Sequence, residues 1–345
     1  MKIEDLKSKS YQHYIEKDFL NTLFFNKRVP LLVTKITDAA KIKQKLLDVY
    51  GNVKLTAIHG GAETEIFASE LQGEVDEICV DAIPLIEAKR FDFADFVQIM
   101  KRLRADDGCE WDKAQTHDSI RINLIEEAYE LLEAIDAKDK DMMKEECGDV
   151  LMQAIFHTEI AEKEGDFDYA DMLTTLCRKL IDRHTHIFGA NHANTPEEAL
   201  GFWNEAKKKE KKYSSYADSM DKVPKNLPSL LYAEKLQKRA KKSGFDWASV
   251  DGALEKVLEE LEELKSADDE HRREEAGDLL FAVVNVLRFY KIDPEMALHD
   301  ASIKFFRRFT QVERLANERG IDMPNTSLEE LDNLWNEVKN DENNK

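Results

Sequence analysis

Hydrophobic positions near the start of the chain follow a short period. Residues 1 to about 90 contain the β-branched or alternating runs VPLLVTKI, VKLTAIHG, ETEIFASEL and DEICVDAIPLI. The first two flank DAAKIKQKLLDVY, whose apolar positions recur at the spacing of an amphipathic helix. Alternation predicts strands and the longer period predicts a helix. We therefore expect a small α/β unit here.

From about residue 92 onward the apolar positions recur at helical spacing instead. FADFVQIMKRLR predicts one helix, and Thr116 or Asp118 is placed to cap the next. A polar break, AKDKDMMK, then separates two longer helical stretches, at a length typical of antiparallel helix pairs. The apolar side chains expected to face one another across this pair are Leu124, Ala128, Leu131, Leu132 and Ile135 on the first helix and Val150, Leu151, Ala154 and Ile155 on the second.

Carboxylates occupy the same helix pair, and their spacing returns near residue 270. The first set is Glu126, Glu127, Glu130, Glu146 and Asp149, and the second is Glu259, Glu260, Glu263, Glu275 and Asp278. Residues three or four apart share a helix face, where like charges destabilise an isolated helix by roughly 0.2 to 0.5 kcal/mol per pair. A single EExxE in a chain that is 35% charged is most often a solvated face, but the repeat favours a functional site.

Facing carboxylates require either protons or a cation between them. Because oxygen ligands without Cys or His suit magnesium or manganese better than zinc, the pattern predicts a Mg²⁺ site, with Mn²⁺ as an alternative. Gly148 and Gly277 precede the two aspartates, although glycine costs about 1 kcal/mol relative to alanine inside a helix. Their recurrence predicts close packing or the close approach of a ligand.

Composition and net charge limit the kinds of protein that this chain can be. With 13 Gly and 7 Pro in 345 residues, the chain is expected to be mostly helical and long enough for two or three domains. A net charge of -20 argues against nonspecific binding to nucleic acid or to anionic membranes. The four Cys show no CxxC spacing and predict reduced thiols. Without an apolar signal segment or membrane span, we expect a cytoplasmic protein.

The two acidic sets, EExxE followed by ExxD, resemble those of the MazG-type nucleoside triphosphate pyrophosphohydrolases. GCEWDKAQTH, RHTHIFG, LPSLLYAEKLQKRAKKSGFDW and KFFRRF are also similar to family segments, so the resemblance covers about residues 92–340. Glu110 replaces a family proline, and Ser302 stands where the family often has asparagine. Residues 1–90 resemble the C-terminal part of a tetrapyrrole methylase domain. Since its Gly-rich half is absent, we expect no methyl transfer.

The expected fold is mainly α, with two tandem all-α helical-bundle domains preceded by the small α/β segment. The predicted boundaries are 1–90 for the α/β segment, 91–204 for the first helical domain, 205–228 for a charged connector and 229–345 for the second helical domain. Such a duplication with a long period predicts two domains and not a solenoid.

The resemblance implies hydrolysis of nucleoside triphosphates at the α–β linkage, giving a nucleoside monophosphate and pyrophosphate. All ten carboxylates are candidate metal ligands, and Glu126 or Glu259 is the candidate general base. The candidate phosphate-binding cations are Lys304, Arg307 and Arg308 in the second module and Lys179 and Arg183 in the first. Trp247, Trp111 or Trp335 could stack on the base, although a core tryptophan beside a helix is an equally good interpretation. His184 and His186 are interpreted as helix-end charges and not as metal ligands.

Two other functions fit the sequence. The bundles could form a catalytically silent interaction or regulatory module, or a narrow-specificity pyrophosphatase of the dCTP or dUTP type. The cation cluster after the second acidic set slightly favours the second module as the active one. Because bundles of this kind often complete their site across a dimer, we expect a homodimer.

Overall fold

The structure is a computed structural model that describes residues 10–23, 25–210 and 214–343. The chain divides into two compact units, Met1–His184 and Thr185–Lys345. The first contains a small sheet followed by helices, and the second is helical. The expected fold class, mainly α with a small α/β segment at the start, is confirmed.

A five-stranded sheet opens the first unit, in the order β1-β2-β5-β3-β4. The strands are β1 (Gln12–Ile15), β2 (Leu31–Thr34), β3 (Lys54–His59), β4 (Ala62–Phe67) and β5 (Glu77–Val80). β1 and β2 are parallel, and the other neighbours are antiparallel. Each apolar run of the sequence contains a strand, and only β1 was missed.

Two helices accompany this sheet, α1 (Glu16–Asn21) and α2 (Ala39–Tyr50). The Asp38 side chain accepts a hydrogen bond from the backbone N–H of Lys41 and so begins α2. Helix α2 buries Ile42 and Leu46 in a core shared with β2, because its apolar positions recur on one face.

The rest of the first unit is helical. Its helices are α3 (Phe93–Leu103), α4 (Glu110–Ala114), α5 (His117–Ala137), α6 (Lys140–Glu164) and α7 (Tyr169–Arg183). Thr116, one of the two predicted caps, accepts from the backbone N–H of Ser119 and begins α5. Helix α5 pairs with α6, and we call this pair the first hairpin.

The core of this helical part lies at one end of the first hairpin. Helix α3 packs there against α6, and the buried side chains are Val97, Met100, Ile120, Ile155, Phe156 and Ile160. Of the apolar side chains predicted to face one another across the hairpin, only Ile155 is buried. Leu124, Ile135 and Leu151 are exposed, so this prediction was wrong for them. The physical reason is that α3 covers the far end of the hairpin and leaves its middle open.

The second unit is built from helices alone in its described part. They are α8 (Thr185–Phe188), α9 (Pro196–Glu210), α10 (Tyr216–Asp221), α11 (Ser229–Lys242), α12 (Val250–Ser266), α13 (Arg272–Phe289), α14 (Pro294–Glu318) and α15 (Leu328–Asn343). Helices α12 and α13 form the second hairpin, and α11 packs against α13 and α14. A small core between α14 and α15 contains Val312, Ala316, Leu334 and Val338.

Two sequence predictions touch residues that the structure leaves undescribed. The predicted connector contains the end of α9 and all of α10, but its residues 211–213 lie outside the described residues. Residues 1–9, which bear on the predicted absence of a signal segment, lie outside them as well. Within the described ranges, no helix combines the length and the apolar character needed to span a membrane.

Candidate active site

The first hairpin brings three of the five predicted carboxylates together. Only Lys138 and Asp139 separate α5 from α6, and Lys138 has a left-handed φ of 55° that reverses the chain. The two helices therefore run antiparallel, and Glu127 and Glu130 face Glu146. One oxygen of each of these three lies within 4.8 Å of the others. We call these three residues the first acidic cluster.

Glu146 is the most constrained member of the first acidic cluster. Only 9% of the residue is exposed, and its Oε2 is buried without a hydrogen-bond partner. Burial raises the pKa of Glu146, and the charges of Glu130, Asp149 and Glu127 raise it further. A buried, unpartnered carboxylate oxygen is costly unless it gains a proton or a cation. The cluster thus offers oxygen donors to a cation, and either a proton or a cation would stabilise it.

The other two carboxylates of the first set flank this cluster. Asp149 lies near enough to Glu146 to raise its pKa, while Glu126 is exposed. A neutral donor is also present, because Gln153 Nε2 donates to Glu127 Oε1 at 3.3 Å. Gln153 is buried, so it helps to fix the direction in which Glu127 points.

The second hairpin also brings three carboxylates together, with Glu260 on its first helix and Glu275 and Asp278 on its second. Their carboxylate oxygens also lie within 4.8 Å of one another, and we call them the second acidic cluster. Glu260 is only 5% exposed, and its Oε2 is buried without a partner, as in Glu146. Partial loss of hydration raises the pKa of Glu263, which is still exposed, and the neighbouring charge of Glu260 raises it further. Each cluster therefore combines one orphaned buried oxygen with carboxylates from the adjoining helix.

A lysine that sequence analysis missed belongs to the second site. Lys256 Nζ lies 2.8 Å from Glu259 Oε1 and 2.6 Å from Glu260 Oε1. These hydrogen bonds raise the pKa of Lys256, which is therefore a fixed positive charge at neutral pH. The signal was present in the sequence, since Lys256 stands three and four residues before the two glutamates, at the spacing of helical ion pairs.

The predicted phosphate-binding cations of the second module lie on α14. Arg307 Nε and Arg308 Nε are 3.1 and 2.8 Å from the two carboxylate oxygens of Glu342 on α15. Lys304 is exposed on the same helix. The structure thus groups these cations on α14 and engages two of them with Glu342 on α15.

The matching cations of the first module lie on α7. Lys179 is half-buried, and Arg183, the last residue of α7, is buried. His184 ends the helix, with its Nδ1 2.7 Å from the backbone oxygen of Leu180. This geometry agrees with the helix-end role expected for His184.

The three candidate tryptophans have different surroundings. Trp247 lies against the first turn of α12, where a Cβ on Gly252 would be 2.2 Å from its Cδ1, so it anchors the start of that helix. Trp111 is exposed and meets Phe156 edge-on, with ring centroids 6.5 Å apart. Trp335 has the Arg308 guanidinium 6.0 Å from its ring. Trp335 is therefore the one found beside a predicted phosphate-binding cation.

Gly148 and Gly277 do not mark close packing within the chain. A Cβ added at either position would meet no atom within 4 Å. The packing interpretation of these glycines was wrong, since the space above both is open. The other interpretation, the close approach of a ligand, stays a prediction.

Taken together, the fold and site define a class of helical protein in which two antiparallel helices hold a group of carboxylates, here present twice. Residues 115–188 match the MazG nucleotide pyrophosphohydrolase domain. The chain is 45% identical over 250 residues to the nucleoside triphosphate pyrophosphohydrolase/pyrophosphatase MazG of Thermotoga maritima, covering 72% of this chain and 95% of that protein. It is 39% identical over 251 residues to the nucleoside triphosphate pyrophosphohydrolase of Escherichia coli K12, covering 71% and 95%. The chain belongs to the MazG family.

A further relative extends the similarity beyond the helical part. The uncharacterized protein YabN of Bacillus subtilis is 41% identical over 331 residues, which cover 90% of this chain and 68% of that protein. Residues 91–345 alone cannot supply this coverage, so the alignment reaches into the α/β segment. That segment is therefore shared with at least one other protein.

Proposed function

We propose that this protein hydrolyses nucleoside triphosphates to a nucleoside monophosphate and pyrophosphate, using Mg²⁺ held by its acidic clusters. The observation that carries the proposal is the orphaned buried oxygen of Glu146 and of Glu260, each among carboxylates of two helices. Relatives that align over most of their length are named for this activity.

The residues that would hold Mg²⁺ are those of the two clusters, with Asp149 and Glu263 beside them. Carboxylate oxygens alone form these groups, which suits a hard cation such as Mg²⁺ or Mn²⁺. When bound, the metal neutralises charge on the phosphates. A bound metal would stabilise Glu146 and Glu260 more than the other ligands, because each has a buried oxygen without a hydrogen-bond partner.

We assign the first glutamate of each set the role of general base, acting on the attacking water. Glu126 and Glu259 stand outside the close groups of carboxylates, so a metal held by those groups would leave their oxygens available. A carboxylate in that position can orient a water and accept its proton. Lys256 holds Glu259 by one oxygen, which leaves its other oxygen for this task.

We assign the cations on α14 the role of binding the phosphates of the substrate. Lys304, Arg307 and Arg308 can donate to phosphate oxygens, and Trp335 beside Arg308 offers a face for the base. Glu342 holds the two arginines at present, so it would give up at least one of them when substrate binds. Lys179 and Arg183 are the corresponding residues of the first module.

The test is pyrophosphate release from each common nucleoside triphosphate, with Mg²⁺ and with EDTA. We expect activity only with Mg²⁺, and its loss by a factor of about 100 or more when Glu127→Gln and Glu260→Gln are combined. The matched control combines Glu133→Gln and Glu262→Gln, exposed neighbours on the same helices that lie outside both clusters, and should retain activity.

Two outcomes would replace this proposal. Turnover that is absent for every nucleotide would favour the silent interaction module. Turnover confined to dCTP or dUTP would favour the narrow-specificity enzyme. Testing each single variant alone would show which hairpin is active.

We further propose that the protein is a homodimer. Apolar side chains stay exposed on both hairpins, among them Leu124 and Leu151 on the first and Leu258 and Leu280 on the second. Leu258 is 64% exposed although it lies two residues from buried Glu260. Large apolar side chains left exposed on a helix pair support an interaction site there.

Light scattering at micromolar concentration should give twice the mass of the chain. Leu258→Glu should shift this mass toward that of one chain, whereas Leu328→Glu, an exposed leucine at the start of α15, should not. A strict monomer of the unaltered protein would overturn the dimer.

A further inference from the structure

A lysine pairs with the second acidic cluster and has no charged counterpart in the first. Lys256 stands three residues before Glu259 and four before Glu260, and it forms ion pairs with both. At the same register of the first hairpin, three residues before Glu126 and four before Glu127, the residue is Asn123. An amide at this position carries no charge that could balance a carboxylate.

The neighbouring residues do not compensate for this difference. Within the described ranges, no lysine or arginine lies within 4.0 Å of a carboxylate oxygen of Glu127, Glu130 or Glu146. Gln153 donates to Glu127, but it is neutral.

The two residues directly before the next glutamate of each set carry the same charges in both modules. Lys144 and Glu145 precede Glu146, as Arg273 and Glu274 precede Glu275. Arg272, whose counterpart is Met143, pairs with Asp269 outside the cluster. Lys256 is thus the cation that pairs with a member of the second acidic cluster and has no charged counterpart beside the first.

We propose that Lys256 is a built-in counter-cation of the second site, so that this site takes up a divalent cation together with a triphosphate, whereas the first site binds a divalent cation by itself. This inference rests on the function proposed above. In the second site, an incoming ion must share Glu260 with an ammonium group 2.6 Å from one of its oxygens. In the first site, Glu146 and its neighbours face no such group.

The role of the triphosphate follows from charge balance. An ion that enters the second site alone leaves Lys256 close to another cation, which costs free energy. The negative charge of a triphosphate offsets both the ion and the lysine, so ion and nucleotide bind there cooperatively. In the first site no lysine of the described chain balances the charge of the carboxylates. A divalent cation therefore binds there favourably without nucleotide.

The experiment is a Mn²⁺ titration of the full chain followed by electron paramagnetic resonance of free Mn²⁺. Without nucleotide we expect one tight site per chain, lost in Glu146→Gln. With a non-hydrolysable triphosphate analogue we expect a second site, lost in Glu260→Gln. The dissociation constants of the two sites without nucleotide should differ about tenfold or more.

Exchanging lysine and asparagine between the two sites should exchange their dependence on nucleotide for Mn²⁺ binding. Lys256→Asn should create a second Mn²⁺ site that needs no nucleotide, and Asn123→Lys should weaken the first about tenfold. Lys265→Asn is the matched control, because Lys265 lies on the same helix but pairs with Glu262, outside the cluster. It should leave both sites unchanged.

Two results would overturn the inference, and they are distinct. If both sites bind Mn²⁺ equally without nucleotide and Lys256→Asn changes neither, the counter-cation role fails while the proposed function stands. If no Mn²⁺ binds at either site even with the analogue, the metal-dependent function fails too. Should Asn123→Lys prevent folding, Lys256→Asn alone decides.

Discussion

Arg288 and Asp246 show how one buried ion pair holds a loop against a helix. Arg288 lies on α13 and Asp246 in the loop before α12, and one guanidinium nitrogen is 3.1 Å from a carboxylate oxygen of Asp246. Their side chains are only 5% and 12% exposed. Burial alone would raise the pKa of Asp246, but the hydrogen bonds and charge of Arg288 outweigh it and lower the pKa. Asp246 is therefore ionised and depends on Arg288.

The first prediction is that Arg288→Met lowers the free energy of unfolding by about 3 kcal/mol, because it leaves the buried carboxylate of Asp246 with only Lys241 Nζ, 3.6 Å away, to balance its charge. Denaturant unfolding followed by circular dichroism measures the change. Arg314→Met is the control, since Arg314 and Glu318 form an exposed pair on α14 whose loss should cost less than about 1 kcal/mol. Equal effects of the two variants would contradict the prediction.

The second prediction concerns the pH dependence that Glu146 introduces. Its pKa is raised above the ordinary value of 4.5, so the folded chain holds this proton more tightly than the unfolded chain does. Between the unfolded and the folded pKa, the contribution of Glu146 to stability must therefore fall as pH rises. Glu146→Gln removes this titration but keeps the size of the side chain.

We expect the free energy of unfolding of the unaltered protein, minus that of Glu146→Gln, to decrease from pH 4.5 upward in EDTA. With Mg²⁺ the sign reverses, because the metal binds the ionised form and stabilises the fold more at higher pH. Unfolding curves across this pH range test both statements. A difference that stays constant with pH would show that the Glu146 pKa is unshifted.

At the scale of single helices, glycines inside the hairpins have opposite surroundings. A Cβ at Gly277 on α13 would meet open space, whereas one at Gly252 on α12 would lie 2.2 Å from Trp247. The third prediction is that Gly277→Ala stabilises the free chain by about 1 kcal/mol, through helix propensity alone. Gly252→Ala should destabilise it by about 1 to 3 kcal/mol, because the indole must move.

Thermal unfolding of both variants measures these changes, and Gly277→Ala has a second readout. If a ligand or a second copy approaches the open space above Gly277, the added methyl group should weaken Mn²⁺ binding or dimerisation while raising the melting temperature. A variant that is less stable than the parent protein would show that Gly277 packs closely after all.

Element types and the acidic sets followed from the sequence, but the packing around them did not. The helical period and the Thr116 cap predicted α5, and the spacing of Glu127, Glu130 and Glu146 predicted that they share a site. Local pattern could not show that α3 covers only one end of the first hairpin, because that depends on tertiary contacts. It therefore misplaced Leu124 and Leu151 in the core. Lys256 was overlooked because a lysine beside glutamates on a helix is an ordinary surface pair.

At the scale of the molecule, buried charges join the α/β segment to the first helical module. Lys27 Nζ lies 2.9 Å from Asp92 Oδ2 and 2.8 Å from Asp95 Oδ2, at the start of α3. Lys27 and Asp95 are 4% and 5% exposed, and Arg28 also contacts Asp95. These residues come from both sides of the predicted boundary at residue 90, within one compact unit. The segment is therefore fixed to the helices by charges that neither part could bury alone.

The fourth prediction is that Lys27→Met destabilises the first unit as a whole. Removing the ammonium group leaves two carboxylates close together with only Arg28 to balance them, which should cost about 3 kcal/mol. Because Lys27 lies in the segment and Asp95 lies on α3, amide hydrogen exchange should speed up in both β2 and α3. Lys54→Met, which removes an exposed pair with Glu65 on the sheet, should affect neither. Faster exchange in β2 with unchanged exchange in α3 would mean that the segment opens independently of the helices, and that the buried charges do not couple the two.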